Sequence, residues 1–300
     1  MKKVFCILLT LLLLAVLAVP AFAASIYESY VIPKGSVRMV AHRGYSAVAP
    51  ENTLPSFRLA GENAFWGAEC DTSPTKDGVW IIMHDDSVDR MTDGEGKVAD
   101  LTYDEIAALT IDAGNNIDQY PDTKVPTLTE YLDVCLAYKL HPVIEIKECA
   151  PVESMEALAA LLCAREEKEM FTIITFGKAQ AARIKQLMPE TPVYLLIGGV
   201  PAEQFPEAVQ FCLDNGLDGL DFASVWGRKE VNMVQKAGLK TMVWTIDKRK
   251  DAEKFYRWGV YDITTNALTQ TSPQGNFFQR ILWWFRDLFY TIKLRLSALF

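Results

Sequence analysis

Residues 40–85 hold most of the side chains that do chemistry. Within them lie His42-Arg43-Gly44, Pro50-Glu51-Asn52-Thr53, Glu69-Cys70-Asp71 and His84-Asp85. Two of the three histidines fall here, each at the end of a short apolar run and each beside a charged residue. Imidazoles so placed suit proton transfer near neutral pH. Arg43 offers a planar fork matched to phosphate or carboxylate. Side chains alternate along a strand, so Glu69 and Asp71 point one way and Cys70 the other. Two such carboxylates repel unless a cation or proton intervenes. Glu145-Ile146-Lys147 repeats the spacing with an acid and a base. Glu69, Asp71 and Glu145 converging at one point make an all-oxygen donor set, suited to Ca2+ or Mg2+ rather than zinc. The competing reading is a set of ion pairs buried inside the fold. His141, just before Pro142 at the start of a strand, reads as structural.

The elements that must position these residues alternate in kind. Buried β-branched runs at residues 37–41, 68–71, 143–147, 171–175, 193–197, 218–221, 241–245 and 261–264 read as parallel strands. Helical patterns fall at 127–138, 152–168, 178–187, 202–215, 229–237 and 248–258. Eight strands in this alternation fit an α/β class (β/α)8 TIM barrel. An open doubly wound sheet is the alternative, and no Gly-rich nucleotide fingerprint follows any strand. A ninth run, 79–83, follows the turn signal Lys76-Asp77-Gly78 and is expected to fold back on the second strand. With the turn centred on Lys76 and Asp77, His84 would face Glu69 and Ile82 would face Asp71. Residues 86–126 are then a long insertion, read as a lid over the strand C-termini. Its helix start is signalled at Thr102-Tyr103-Asp104-Glu105.

These motifs, in this order and spacing, resemble the glycerophosphodiester phosphodiesterase family over residues 38–268. The resemblance rests on His42-Arg43-Gly44, Pro50-Glu51-Asn52-Thr53, Glu69-x-Asp71, the hairpin ending in His84-Asp85, and Glu145-Ile146-Lys147. It implies a TIM barrel that hydrolyses glycerophosphodiesters to sn-glycerol 3-phosphate and an alcohol with one divalent cation. By position it implies Glu69, Asp71 and Glu145 as metal ligands and His42 and His84 as the acid–base pair. Arg43 and Lys147 would contact phosphate, Glu51 would support the site, and Trp244 would either pack on glycerol or belong to the core. In related phospholipase-type barrels the substrate's neighbouring hydroxyl attacks phosphorus, which the glycerol 2-hydroxyl would do here. Three segments depart from the family pattern: Thr175-Phe176 where Ser-Phe is expected, Trp244-Thr245-Ile246-Asp247 for a Trp-Thr-Val-Asn type, and Thr265-Asn266-Ala267 for Thr-Asp-x-Pro. They put substrate preference in question.

Composition narrows the classes. Hydrophobic residues make up 50% of the chain and charged residues 23%, so a packed core is expected. A net charge of −8 argues against a nucleic-acid partner. Met1-Lys2-Lys3, the apolar run 4–19 and Pro20-Ala21-Phe22-Ala23 read as a signal peptide cleaved after Ala23, with an uncleaved anchor helix as the rival. An exported protein of the cell envelope or exterior follows. Residues 1–23, 36–270 and 276–300 thus divide into leader, barrel and tail. Outside the leader, Cys70, Cys135, Cys149, Cys163 and Cys212 are odd in number and scattered, which favours buried free thiols.

Residues 276–300 carry a broad apolar helical face with Trp283, Trp284 and Tyr290, and four basic residues against one acid. That pattern fits an amphipathic helix at a membrane surface, or a last helix packed on the barrel or on a second copy. Two other functions compete with the small-substrate phosphodiesterase. One is a lipid-directed phospholipase of the same barrel group, acting on lysophospholipid or phosphatidylglycerol. The other is a non-catalytic binder of glycerophosphodiesters.

Overall fold

The computed structural model describes residues 37–165 and 171–269. The expected leader and the expected tail helix lie outside these residues. Eight parallel strands form a closed ring: β1 (Arg38–Ala41), β2 (Gly67–Pro74), β4 (His141–Ile146), β5 (Thr172–Thr175), β6 (Val193–Ile197), β7 (Gly219–Ala223), β8 (Lys240–Trp244) and β9 (Asp262–Thr265). Closure comes from β1, which pairs with β9 through Arg38↔Asp262 and with β2 through Val40↔Gly67. A ring with paired ends is a barrel, so the open-sheet alternative falls.

Helices α1 (Leu54–Glu62), α3 (Leu128–Tyr138), α4 (Met155–Cys163), α5 (Lys178–Leu187), α6 (Phe205–Asp214), α7 (Arg228–Lys236) and α8 (Arg249–Arg257) separate the barrel strands; α2 (Tyr103–Ala108) belongs to the insertion. With helices outside and packed side chains inside, strands are buried on both faces, which is why they read as apolar runs. Val40, Val143, Ile174, Tyr194, Leu196 and Met242 fill the barrel's interior.

Local signals set the helix starts. The Thr127 hydroxyl accepts from the Glu130 backbone while Glu130 reaches back to the Thr127 N–H, a reciprocal cap contributing about 1 kcal/mol. Thr102 and Glu105 do the same for α2, at the signalled position. Helix α1 was not legible as a period; a Thr53–Ser56 box and Pro55 start it.

The hairpin differs from expectation by one residue. Strand β3 (Trp80–Ile82) pairs with β2 through Thr72↔Ile82, so Ile82 faces Thr72 and not Asp71. Gly78 adopts φ +85°, and the Thr75 N–H donates to Val79 rather than to Gly78. The left-handed glycine adds one residue to the turn, as in a three-residue hairpin loop. His84 lies beyond the paired region, so it does not face Glu69 across a ladder and reaches the site from a bend.

The insertion has its own apolar cluster, Val88, Met91, Val98, Ile106, Ile111 and Val125, packed with Ile81 and Met83 of the hairpin arm. Cys70, Cys135 and Cys212 are buried as expected, whereas Cys149 and Cys163 are exposed; all five are free thiols. Among the described residues no helix is long and apolar enough to cross a membrane.

Candidate active site

The site forms where β1, β2 and β4 end, because barrel strands deliver their C-terminal residues to one rim. After Ala41 the chain turns sharply, with Arg43 at φ +56° and Gly44 at φ +76°. A Cβ on Gly44 would fall 2.2 Å from the Ser56 hydroxyl oxygen, so the third residue of His-Arg-Gly must lack a side chain. Ser56 in turn donates to the Arg43 carbonyl, tying the turn to α1. The turn aims the Arg43 N–H at Glu69 Oε2 (2.8 Å), and its guanidinium at Glu51 Oε1 (2.9 Å) and near Asp71 Oδ2 (3.3 Å).

Glu69, Asp71 and Glu145 present one oxygen each, all within 4.8 Å of one another. Glu69 and Asp71 are each 1% exposed. Burial pushes Glu69 well above the usual carboxylate range, and Asp71 and Glu145 add to it. Burial opposes ionisation of Asp71 too, but Lys147, Arg43, His84 and the Asn52 amide outweigh it and hold its pKa down. Glu145 is pushed up to about 7 by burial and Asp71, despite Lys147. Lys147 Nζ donates to Glu145 Oε1 (2.8 Å) and Asp71 Oδ1 (3.1 Å). Three carboxylates so close, with Glu69 Oε1 buried and lacking a hydrogen-bond partner among the described residues, fit an oxygen-liganded divalent cation. Glu69, Asp71 and Glu145 could hold it.

The two histidines line one cavity of about 320 Å³ with Arg43, Glu69, Glu145 and Lys147. Nδ1 of His42 lies 2.7 Å from Asn266 Oδ1. Asn266 is oriented by Asp247, which accepts from its backbone N–H and its Nδ2, both at 2.7 Å. The amide oxygen therefore faces His42, placing the proton on Nδ1 and leaving Nε2 for substrate. Burial, then the Arg43 charge, lowers the His42 pKa, which favours the neutral ring. His84 Nδ1 lies 2.7 Å from Asp85 Oδ1. Arg90, from the insertion, bridges Asp85 and Glu51. The Arg90 hydrogen bond, helped by that to His84, outweighs burial and brings the Asp85 pKa down to about 2.

The far wall is largely apolar, with Ile174, Phe176, Leu196 and Trp244 beside Asp221 and Thr264. Trp244 meets Phe176 edge-on at 5.7 Å between centroids. It lines the cavity and donates to the Asp221 carbonyl, so it is both lining and packed. His141 stands apart at the other end of β4, stacked on Trp66 and bonded to Thr172.

The profile of the glycerophosphoryl diester phosphodiesterase family matches residues 42–269, well over half the chain. The chain belongs to that family. It is 31% identical to the glycerophosphodiester phosphodiesterase of Bacillus subtilis over 279 aligned residues, covering 86% of this chain and 92% of that protein. It is 41% identical to glycerophosphodiester phosphodiesterase 1 of Rattus norvegicus over 123 residues, 41% of this chain; the match spans 37% of the rat protein's length. Among solved structures, a phosphodiesterase from Oleispira antarctica in complex with the product sn-glycerol 3-phosphate is 27% identical, with a TM-score of 0.70 over 78% of this chain and 94% of that one.

For this family member the sequence reading found His42, Arg43, Glu51, Glu69, Asp71, His84, Glu145 and Lys147, and all converge. It missed the partners that hold them. Asn52 donates to Asp71 Oδ2 at 2.8 Å, and it stood inside a motif already singled out. Asp247 and Asn266 were visible as departures from the family pattern, without a hint that they touch. Arg90 and Asp221 carried no local signal.

Proposed function

We propose that this protein hydrolyses glycerophosphodiesters to sn-glycerol 3-phosphate and an alcohol, using a divalent cation and a histidine pair. The observation that carries this reading is one cavity lined by His42, His84 and Arg43 around a carboxylate triad within 4.8 Å. Membership of the family and the resemblance to the Bacillus and Oleispira proteins support it.

A phosphodiester carries a negative charge that repels nucleophiles, and more charge develops on its oxygens in the transition state. A cation bound by Glu69, Asp71 and Glu145 would supply Lewis-acid stabilisation of that charge. Arg43 and Lys147 add positive charge at the same rim. His42, neutral with its Nδ1–H donating a hydrogen bond to the Asn266 amide oxygen, accepts the proton of the attacking hydroxyl at Nε2. That hydroxyl is water, or the glycerol 2-hydroxyl, in which case the alcohol leaves from a cyclic phosphate that a water then opens to sn-glycerol 3-phosphate. His84, its Nδ1 held by the Asp85 carboxylate, protonates the departing alkoxide. Each histidine contributes on the order of 10²–10⁴ in rate.

The test is release of sn-glycerol 3-phosphate from glycerophosphocholine with Ca2+ or Mg2+, with EDTA, and with His42→Ala. Turnover abolished by EDTA and cut by the substitution upholds the reading. A folded, metal-loaded protein that binds glycerophosphocholine without cleaving it would be a binding protein instead.

We also infer export from the leader pattern of residues 1–23, and attachment to a membrane surface through residues 276–300. Cell fractionation of the full chain beside one ending at residue 275 tests both.

A further inference from the structure

Across the cavity from the carboxylates lies a second polar group that the mechanism does not use. Asp221, on β7, is 1% exposed, and among the described residues neither of its carboxyl oxygens has a hydrogen-bond partner. Thr264, on β9, is 2% exposed, and its hydroxyl is likewise unpartnered. Both line the same cavity as His42 and Glu145. In the ring β7 stands four strands from β2 in either direction, so Asp221 lies on the wall diametrically opposite Glu69 and Asp71.

Buried polar groups are nearly always bonded, because each unmet group forfeits its hydration for nothing. Two unmet groups facing one pocket are explained by a ligand that meets them. The ligand's chemistry follows from theirs. A hydroxyl both donates and accepts, and so does a protonated carboxyl. Burial, with Glu145 and Asp262 nearby, pushes the Asp221 carboxyl well above the usual carboxylate range. The neighbouring wall of Ile174, Phe176, Leu196 and Trp244 is uncharged. The complement is a small neutral group that donates and accepts at once, which is an alcohol.

We propose that Asp221 and Thr264 bind the terminal hydroxyl of the substrate's glycerol moiety, and that the site therefore rejects substrates in which that oxygen is acylated. This rests on the phosphodiesterase reading and deepens it. With phosphorus at the carboxylate rim, only an end of the substrate reaches the opposite wall. The glycerol end is small and always carries this hydroxyl, whereas the other alcohol differs between substrates. A site built to bond a hydroxyl discriminates strongly against its absence, because its own buried groups are then left unmet.

The test compares the wild-type protein, Asp221→Leu, Asp221→Asn and Thr264→Val on three substrates. These are glycerophosphocholine, its analogue with a terminal methyl in place of the hydroxymethyl group (2-hydroxypropyl phosphocholine), and 1-acyl lysophosphatidylcholine. Asp221→Leu is expected to raise KM for glycerophosphocholine about tenfold or more, and Asp221→Asn, which keeps a donor and an acceptor, to recover most of that loss. Thr264→Val shifts KM the same way. On the methyl analogue the wild type loses the same factor and Asp221→Leu loses nothing further, the non-additivity expected of two groups in contact. Asp221→Leu also melts at a higher temperature than the wild type, since it removes an unmet buried carboxyl, an effect that a purely structural role would reverse. If the wild type cleaves glycerophosphocholine but Asp221→Leu and Thr264→Val leave its KM unchanged, the inference is wrong. It is equally wrong if lysophosphatidylcholine is cleaved as fast as glycerophosphocholine. No cleavage of any diester by the folded, metal-loaded wild type overturns the phosphodiesterase reading itself, and this inference with it.

Discussion

Asp247 and Asn266 form a single hydrogen-bonded unit beneath His42. Asp247 takes both the backbone and the side-chain N–H of Asn266, and the amide oxygen then receives His42 Nδ1 at 2.7 Å. Both positions are ones the sequence reading singled out as departing from the expected pattern, Asp247 where an asparagine and Asn266 where an aspartate was expected. The consequence is electrical: His42 leans on a neutral amide.

That arrangement sets the first prediction. Asn266→Asp places a carboxylate against His42 and raises its pKa, so the acidic limb of the kcat/KM profile moves to higher pH. Asn266→Ala leaves Nδ1 unoriented and is expected to lower kcat by about tenfold to a hundredfold, part of the roughly 10²–10⁴ a base supplies. A pH–rate profile unchanged in Asn266→Asp would separate His42 from the base role.

The carboxylate triad predicts a pH-dependent response to metal. Unfolded, Glu145 titrates near its ordinary value of about 4.3; folded, burial and Asp71 push it to about 7. Between those values the unfolded chain has released a proton that the folded chain keeps, so this group's contribution to stability falls as pH rises through the window. A bound divalent cation offsets both the burial and the repulsion that cause the loss. Calcium or magnesium is therefore expected to raise Tm more at pH 8 than at pH 5. Glu145→Gln should flatten that difference in differential scanning calorimetry.

Asn52 has two jobs that substitution can separate. Its backbone is left-handed at φ +57°, and its amide donates to buried Asp71 at 2.8 Å. Asn52→Ala loses both, whereas Asn52→Gly loses only the hydrogen bond. Urea titration should find Asn52→Ala less stable than Asn52→Gly by about 1–2 kcal/mol, the cost of a left-handed residue with a Cβ. Both should weaken metal binding, because Asp71 loses an orienting donor.

Arg90 should matter for turnover more than for stability. It ties Asp85 to Glu51 from a side chain that is 47% exposed. Exposed ion pairs contribute under about 1 kcal/mol, so Arg90→Ala is expected to leave Tm within a few degrees. Glu51, freed of Arg90, holds Arg43 less firmly, and kcat/KM should fall about tenfold from lost positioning. Equal kcat/KM in Arg90→Ala and wild type would confine the insertion to a packing role.

The sequence alone determined the barrel and most of the polar side chains that gather at its rim, because both are local. Strand burial on two faces writes itself as apolar runs, and alternation along β2 dictates that Glu69 and Asp71 share a face whatever surrounds them. Tertiary structure decided the rest, for three physical reasons. The register of β3 hung on the φ of Gly78, one torsion that moved Ile82 from Asp71 to Thr72 and took His84 off the ladder. The pairing of Asn266 with Asp247 joins residues 19 apart in sequence that meet only because β8 and β9 lie side by side. Asp221 reads as one more polar residue on a strand, and its meaning, a carboxyl buried opposite Glu69 and Asp71 without a partner among the described residues, exists only once the ring has closed.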